Sequence, residues 1–166
     1  MASGRKFGVD FGLLFVRIAL AGIVITHGVA KLRDAQTGAL DFKGGVEEFS
    51  MTLANHGFPQ PHTMAIAIIV TSTVGGILVF LGLGWIGRVA AFAIAAVQVA
   101  MITLVHGENG FFLQYQATEP GPIQHGIEFN LALLALALCV VCAGPGRIGL
   151  LTGGLRGGGG GKKKGG

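Results

Sequence analysis

Long stretches of this sequence contain no charged side chain. No Asp, Glu, Lys or Arg occurs between Glu48 and Arg88, between Arg88 and Glu108, or between Glu128 and Arg147. A transmembrane helix needs about 20 mostly apolar residues, and each stretch is long enough to hold one. Charged residues make up only 12% of the chain, whereas soluble domains carry about 25%. The sequence therefore predicts an integral membrane protein and excludes most cytosolic enzymes, disordered chains, disulfide-stapled secreted domains and nucleic-acid binders.

The apolar segments predict four membrane-spanning helices. These run over about residues 9–29, 62–84, 86–105 and 126–143. Helices are expected because every backbone polar group in lipid must be hydrogen-bonded, and no repeated polar–apolar alternation suggests barrel strands. Only a tight turn joins the second and third segments, so they should form an antiparallel hairpin. The predicted fold class is all-α, an integral membrane four-helix bundle that occupies residues 1–150.

Basic residues are divided unevenly between the two sides of this arrangement. The side of the termini holds Arg5, Lys6, Arg88, Arg147, Arg156 and the lysines 162–164, and the other side holds Lys31, Arg33 and Lys43. Because cytoplasmic loops carry an excess of Lys and Arg, we expect both termini in the cytoplasm. The Gly- and Lys-rich tail, residues 151–166, is predicted to be disordered.

The first outer loop has a helical pattern. Its apolar residues Phe42, Val46, Phe49 and Leu53 recur at helical spacing, with Glu47 and Glu48 between them. This pattern predicts a short amphipathic helix that lies on the membrane or over the mouth of the bundle.

Arg17 is a charged residue inside the first predicted span. It lies about eight residues into the span, roughly 12 Å at 1.5 Å per residue, too deep to reach the near surface easily. Such a charge usually faces the bundle interior and marks function. Arg17 either locks helices together through hydroxyls and carbonyls or holds an anionic or carbonyl-bearing ligand. Gln98, in the middle of the third span, is placed to bond Arg17 or a quinone carbonyl.

A second polar group is expected where the outer ends of spans one, three and four converge. Its members are His27, Lys31, His106, His125 and Glu128. Such a cluster suits proton exchange, because a histidine near a carboxylate titrates close to neutral pH. The alternative is that these residues meet headgroups and water at the interface, and we prefer that interpretation for His125. The catalytic candidates are therefore His27, Lys31, His106 and Glu128, if the protein is an enzyme at all.

The sequence lacks the patterns of metal sites. No H-E-x-x-H or Cys/His ligand spacing occurs, and His27 and His106 lie too near the membrane edge for axial ligands of a haem. Cys139 and Cys142 form a C-x-x-C pair, but its position within lipid favours a packing role. We predict no metal, and a quinone is the one cofactor that the polar residues suggest.

Several segments in a fixed order resemble the DoxX family. They are Leu14-Phe15-Val16-Arg17, His27-Gly28-Val29-Ala30-Lys31-Leu32, Gly57-Phe58-Pro59, Gly75-Gly76-Ile77-Leu78, Asn109-Gly110-Phe111-Phe112 and Gly144-Pro145-Gly146-Arg147. The resemblance covers about residues 10–150 and implies a small four-span membrane protein. Some members are the membrane subunit of a thiosulfate:quinone oxidoreductase, and others associate with redox and detoxification proteins. The family pattern highlights Arg17, His27, Gly28, Lys31, Arg88, His106, Glu128 and Arg147.

The sequence departs from the family at one position in the second span. The family commonly has a Glu three residues before the paired glycines, where this chain has Ser72. We expect position 72 near the level of Arg17, so the departure would remove the natural counter-charge of the arginine. Its replacement is then Thr71, Ser72 and Thr73 with Gln98, or Glu128, or a bound anion. Arg17, Gln98 and Ser72 are accordingly the predicted ligand-binding residues.

Two functions follow from these residues and the resemblance. The first is a redox-associated, quinone-linked membrane subunit that binds a quinone or small anion near Arg17. The alternative is a non-catalytic anchor or assembly partner for a peripheral redox enzyme. A small-solute carrier is disfavoured, because no inverted repeat is detectable. The expected partners are membrane lipids and a redox enzyme subunit, the expected location is the bacterial cytoplasmic membrane as a multi-pass protein, and the oligomeric state stays open.

Overall fold

The computed structural model of the chain describes residues 2–34, 37–112 and 126–149, except for the side chains of residues 2–6. All regular elements in this part of the chain are helices. The α-helices are α1 (Ala2–Ala30), α2 (Phe42–Asn55), α3 (Pro61–Val70), α4 (Gly76–Leu81), α5 (Gly84–Met101) and α6 (Glu128–Ala143). The predicted all-α class is confirmed, whereas His125 and the predicted tail lie outside the described residues.

Three helical segments are long and apolar enough to cross a membrane. They are Phe7–Ala30, Pro61–Leu81 and Gly84–Asn109. The fourth predicted span corresponds to α6, which is apolar but has only 16 residues, or about 24 Å at 1.5 Å per residue. That length is short of the roughly 30 Å hydrocarbon core of a bilayer. The protein is thus a multi-pass membrane protein with three long apolar helices and one shorter one.

Two of the long helices are interrupted by π-helical turns. The first turn, Thr71–Gly75, joins α3 to α4, and the second, Ile102–His106, extends α5. A threonine hydroxyl near each turn donates to a backbone carbonyl, from Thr73 to Ile69 at 2.7 Å and from Thr103 to Val99 at 2.9 Å. Single π turns inside α-helices occur frequently at functional sites, so these interruptions direct attention to the side chains around them.

The main core lies where α1, α4, α5 and α6 meet. Its most buried members are Leu20, Val24, Val79, Ala91, Ile94, Ala137 and Val140. Small residues bring the helices close together: a Cβ added at Gly76 would lie 2.6 Å from the Ile25 side chain. Large apolar side chains such as Trp85 and Phe92 instead point outward, at 71% and 64% exposure, as helices surrounded by lipid require.

The amphipathic helix expected in the first outer loop is present as α2. Asp41 caps its start, because its carboxylate accepts hydrogen bonds from the backbone N–H groups of Lys43 and Gly44 at 3.1 and 2.9 Å. A second buried cluster fixes the helix against α3 and the C-terminal part of α5. Its buried members are Leu53, Phe58, Ala65 and Ile68. The helix therefore covers the end of the bundle that carries Lys31.

Candidate functional site

Arg17 is buried, at 2% exposure, and its guanidinium is held by backbone carbonyls. Nε donates to Val79 at 3.0 Å and Nη2 to Phe80 at 2.6 Å. Nη1 donates to both Pro145 and Ile148, at 2.7 and 2.5 Å. These four bonds use four of the five N–H donors that a guanidinium offers. We call these five residues the arginine clamp.

The carbonyls of the arginine clamp lie at the ends of two helices. Val79 and Phe80 belong to the last turn of α4, and Pro145 and Ile148 follow the end of α6. The last carbonyls of a helix lack partners within it, and each C-terminus carries roughly half a negative charge. Val79 and Phe80 are such carbonyls, whereas Pro145 and Ile148 lie beyond Ala143, the last residue of α6. Backbone carbonyl dipoles therefore stand where the sequence predicted a side-chain counter-charge.

The segment after α6 folds back onto this end of the bundle. A Cβ added at Gly144 would lie 2.6 Å from Nη2 of Arg88, so Arg88 also stands against the C-terminus of α6. The backbone N–H of Arg147 donates to the Asp10 carboxylate at 3.0 Å. Three of the basic residues that the family pattern highlighted, Arg17, Arg88 and Arg147, thus lie at the same end of the bundle.

The predicted depth of Ser72 was wrong. A Cβ added at Gly28 would lie 2.9 Å from Cβ of Ser72, so Ser72 is level with Gly28, about 16 Å along α1 from Arg17 at 1.5 Å per residue. The residue level with Arg17 is Gly82, whose added Cβ would overlap the guanidinium. Arg17 donates to backbone carbonyls, which the sequence offered as one alternative, and its four hydrogen bonds do not involve Thr71–Thr73, Gln98 or Glu128.

A cavity of about 470 Å³ lies at the opposite end of the bundle. Its polar lining consists of His27, Lys31, Ser72, Gln98, His106, Glu128 and Asn130. Its apolar lining consists of Val24, Ile68, Val97, Met101, Phe129 and Leu133. We call this cavity the polar pocket. Its volume and mixed lining are those of small-molecule sites, which measure roughly 300–1,000 Å³ and place a few polar groups on apolar walls.

Different elements bring these polar groups together. His27 and Lys31 come from the end of α1 and the residue after it, and Glu128 begins α6. The two π turns supply Ser72 and His106. Gln98 and Asn130 are buried side chains, at 6% and 8% exposure. Each amide offers two donors and an acceptor, so the interior of the polar pocket can exchange hydrogen bonds with a guest.

The rim of the polar pocket is built around Lys31. Its ammonium donates to the backbone carbonyl of His27 at 3.4 Å and lies 5.0 Å from the centre of the Phe49 ring on α2. Burial lowers the pKa of Lys31 below its usual value, because it disfavours the charged form. Because Phe49 belongs to α2, this helix shields the Lys31 ammonium on one side. The neighbouring His27 ring lies 5.3 Å from the Phe129 ring.

The structure divides the predicted site residues between two places. His27, Lys31, His106 and Glu128 line the polar pocket together, and the ligand-binding candidates Ser72 and Gln98 join them. Arg17 belongs to the arginine clamp instead. Sequence reasoning missed Asn130, although an Asn two residues after Glu128 in an otherwise apolar segment was a usable signal. Whether these residues bind or convert a ligand stays a prediction.

The described ranges contain no cluster of side chains suited to a metal ion. No group of three or more His, Cys, Asp or Glu in residues 2–34, 37–112 and 126–149 could hold a metal ion. Cys139 and Cys142 are free thiols on exposed positions of α6. Because both side chains are exposed, they do not have the packing role that the sequence predicted.

The long apolar helices define a multi-pass membrane protein that is helical throughout the described residues, and the polar pocket is a candidate ligand site within it. The DoxX family model matches residues 12–107, which is more than half of the chain. The chain therefore belongs to the DoxX family, as its sequence motifs predicted. The match ends after His106, so α6 with Glu128 and Asn130 lies beyond it. No curated protein and no solved structure matches the chain.

Proposed function

We propose that this protein is a quinone-binding membrane subunit of a redox system, and that the quinone ring binds in the polar pocket. The observation that carries the proposal is the combination of buried amides and titratable side chains around one cavity with apolar walls. A quinone is complementary to such a cavity, because it has a flat apolar ring with a carbonyl at either side.

Gln98 and Asn130 are the proposed donors to the quinone carbonyls. Both are buried and both line the cavity. A quinone carbonyl that binds there would exchange its hydrogen bond with water for one with an amide N–H. A hydrogen bond of this kind contributes about 1 kcal/mol net, and leaving a buried polar group unpaired costs about 1–3 kcal/mol. The walls formed by Ile68, Val97 and Leu133 would hold the ring by burial of its faces.

His27, His106 and Glu128 are the proposed proton-exchange groups. Reduction of a quinone to a quinol takes up two electrons and two protons. The histidines and the carboxylate border the cavity, and such side chains are the common proton donors and acceptors of enzymes. The electrons would come from a partner oxidoreductase, in keeping with members of the family that serve as membrane subunits.

Arg17 has no direct role in this proposal. Four of its five N–H donors bond to backbone carbonyls, and it does not line the polar pocket. The ligand that the sequence suggested near Arg17 is therefore assigned to the other end of α1.

A binding measurement with a short-tailed quinone tests the proposal. Protein in lipid nanodiscs is titrated with the quinone, and Gln98→Leu is compared with Val99→Leu, a change at the neighbouring, lipid-exposed position. We expect Gln98→Leu to weaken binding about tenfold, equivalent to about 1.4 kcal/mol, and Val99→Leu to bind as wild type. The anchor function would replace this proposal if wild-type protein bound no quinone and co-purified with a redox enzyme in fixed stoichiometry.

A further inference from the structure

A groove on the outside of the bundle runs beside the polar pocket. It is lined by Ile23, Thr26, His27, Val29, Ala30, Arg33 and Phe129, and we call it the side groove. Except for Phe129, which comes from α6, these residues lie on α1 or directly after it. The side groove is therefore a cleft between α1 and α6 on the face that a membrane protein turns to lipid.

We infer that the side groove holds the isoprenoid tail of the quinone, so that the ligand enters the polar pocket sideways from the bilayer. This inference rests on the proposed function, and it specifies the substrate class as a long-tailed membrane quinone.

Two residues connect the side groove to the polar pocket. His27 and Phe129 line both cavities, and their ring centres are 5.3 Å apart with the ring planes tilted by 46°. The ring pair is therefore the partition between the two spaces. Phe129 is 44% exposed, so its ring can turn outward without leaving a packed core. A quinone whose ring lies beside Gln98 and Asn130 would direct its tail past the His27 and Phe129 rings.

The surface of the side groove suits a hydrocarbon chain. Ile23, Val29 and Ala30 are apolar, and the hydroxyl of Thr26 is hydrogen-bonded to the carbonyls of Gly22 and Ile23 within its own helix. The threonine therefore offers no unsatisfied donor to a guest. The one charged member, Arg33, lies beyond the end of α1, where its backbone pairs with Leu40. A chain lying lower in the groove meets apolar walls.

A substitution that fills the side groove tests the contribution of the quinone tail to binding separately from that of the ring. Ala30→Trp places an indole in the groove at an exposed position that does not line the polar pocket. The control is Ala96→Trp, at an exposed position of α5 that lines neither cavity. Each variant is titrated in nanodiscs with a tailless quinone and with a long-tailed quinone of the same ring, and affinities are expressed per mole fraction of quinone in the bilayer.

We expect Ala30→Trp to weaken binding of the long-tailed quinone about tenfold or more, while the tailless quinone binds within about twofold of wild type. Ala96→Trp should change neither. Equal binding of the long-tailed quinone to Ala30→Trp and wild type would overturn the inference but leave the proposed function intact. Failure of both quinones to bind wild type would overturn the proposed function, and the inference with it.

A photoreactive group on the quinone tail gives a second test that needs no substitution. After illumination, we expect cross-links on the α1 peptide that contains Ile23 and Ala30, and on Phe129. Cross-links confined to α2 and α3 would overturn the inference. Retention of a phospholipid that Ala30→Trp releases, with quinone binding unchanged, would assign the groove to a lipid acyl chain and likewise overturn it.

Discussion

At one end of the bundle the guanidinium of Arg17 donates to four carbonyl oxygens. About 15 Å further along α1, His27 borders a cavity of about 470 Å³ together with Lys31. Both ends bury polar groups within apolar helices. At the clamp, four of the five guanidinium donors bond to the protein's own backbone. At the polar pocket the polar groups surround room for a guest. The two ends therefore differ in whether the buried polar groups bond to the protein itself or border a cavity.

The largest expected effect is the loss of the arginine clamp. Arg17→Leu would leave the four carbonyls of the clamp without their buried cation, and we expect the free energy of unfolding to fall by about 3 kcal/mol or more. Thermal unfolding in detergent measures the change, with Arg33→Leu as the exposed control. An unchanged unfolding temperature together with lost quinone binding would reverse the roles that we assign to the two ends.

Gly82→Ala disturbs the packing of the arginine clamp and keeps the charge of Arg17. The added Cβ would overlap the Arg17 guanidinium, and Gly82 has φ +67°, a left-handed conformation that L side chains rarely adopt. Gly84→Ala is the matched control, since its φ is +56° and an added Cβ there meets nothing within 4 Å. We expect Gly84→Ala to cost about 1 kcal/mol of stability and Gly82→Ala about 1–3 kcal/mol more. Equal costs would contradict the tight clamp.

Gly28→Ala should affect the polar pocket. Its Cβ would lie 2.7 Å from Cγ2 of Thr73 and 2.9 Å from Cβ of Ser72, so α1 must move away from the first π turn. We expect a loss of about 1–3 kcal/mol of stability, accompanied by weaker quinone binding. Gly22→Ala on the same helix, where an added Cβ meets nothing within 4 Å, should retain both properties. The comparison fails if the two variants bind quinone equally well.

The smallest effect concerns the pH dependence of stability. Burial lowers the pKa of Lys31 below 10.5 in the folded protein, so between the lowered value and 10.5 the unfolded chain binds more protons than the folded one. Stability should therefore rise with pH through this interval. Lys31→Met should reduce that rise, and Lys43→Met, at an exposed position, should retain it. Unfolding curves from pH 7 to 10.5 measure the difference, and identical slopes in both variants would contradict the burial of Lys31.

Chain direction made the polar pocket predictable in part. Antiparallel apolar segments bring the end of α1 to the end of α5 and to the start of α6, so His27, His106 and Glu128 had to fall near one another. Ser72 was named from the sequence as a ligand-binding candidate, but its level was not predictable, because the sequence does not show how far the second long helix is offset from α1 along the helix axis.

The partner of Arg17 was not predictable from side-chain chemistry. Backbone carbonyls are present at every residue, so nothing in the sequence distinguishes those of Val79 and Pro145 from others. Finding them requires the level at which the second helix ends, and the predicted depths misaligned Ser72 with Arg17. The fold class and the family could be predicted, since both depend on apolar length and local motifs, whereas the clamp depends on how helices are offset along their axes.

The most direct test of the difference between the two ends is the dissociation constant of a short-tailed quinone for Arg17→Lys and Gln98→Leu, measured at a temperature where both are folded. The lysine keeps the buried charge with three donors, so Arg17→Lys should lower the unfolding temperature and bind quinone within about twofold of wild type. Gln98→Leu should bind about tenfold more weakly, a difference of about 1.4 kcal/mol. Wild-type affinity in Gln98→Leu, with binding lost in a folded Arg17→Lys protein, would contradict the account.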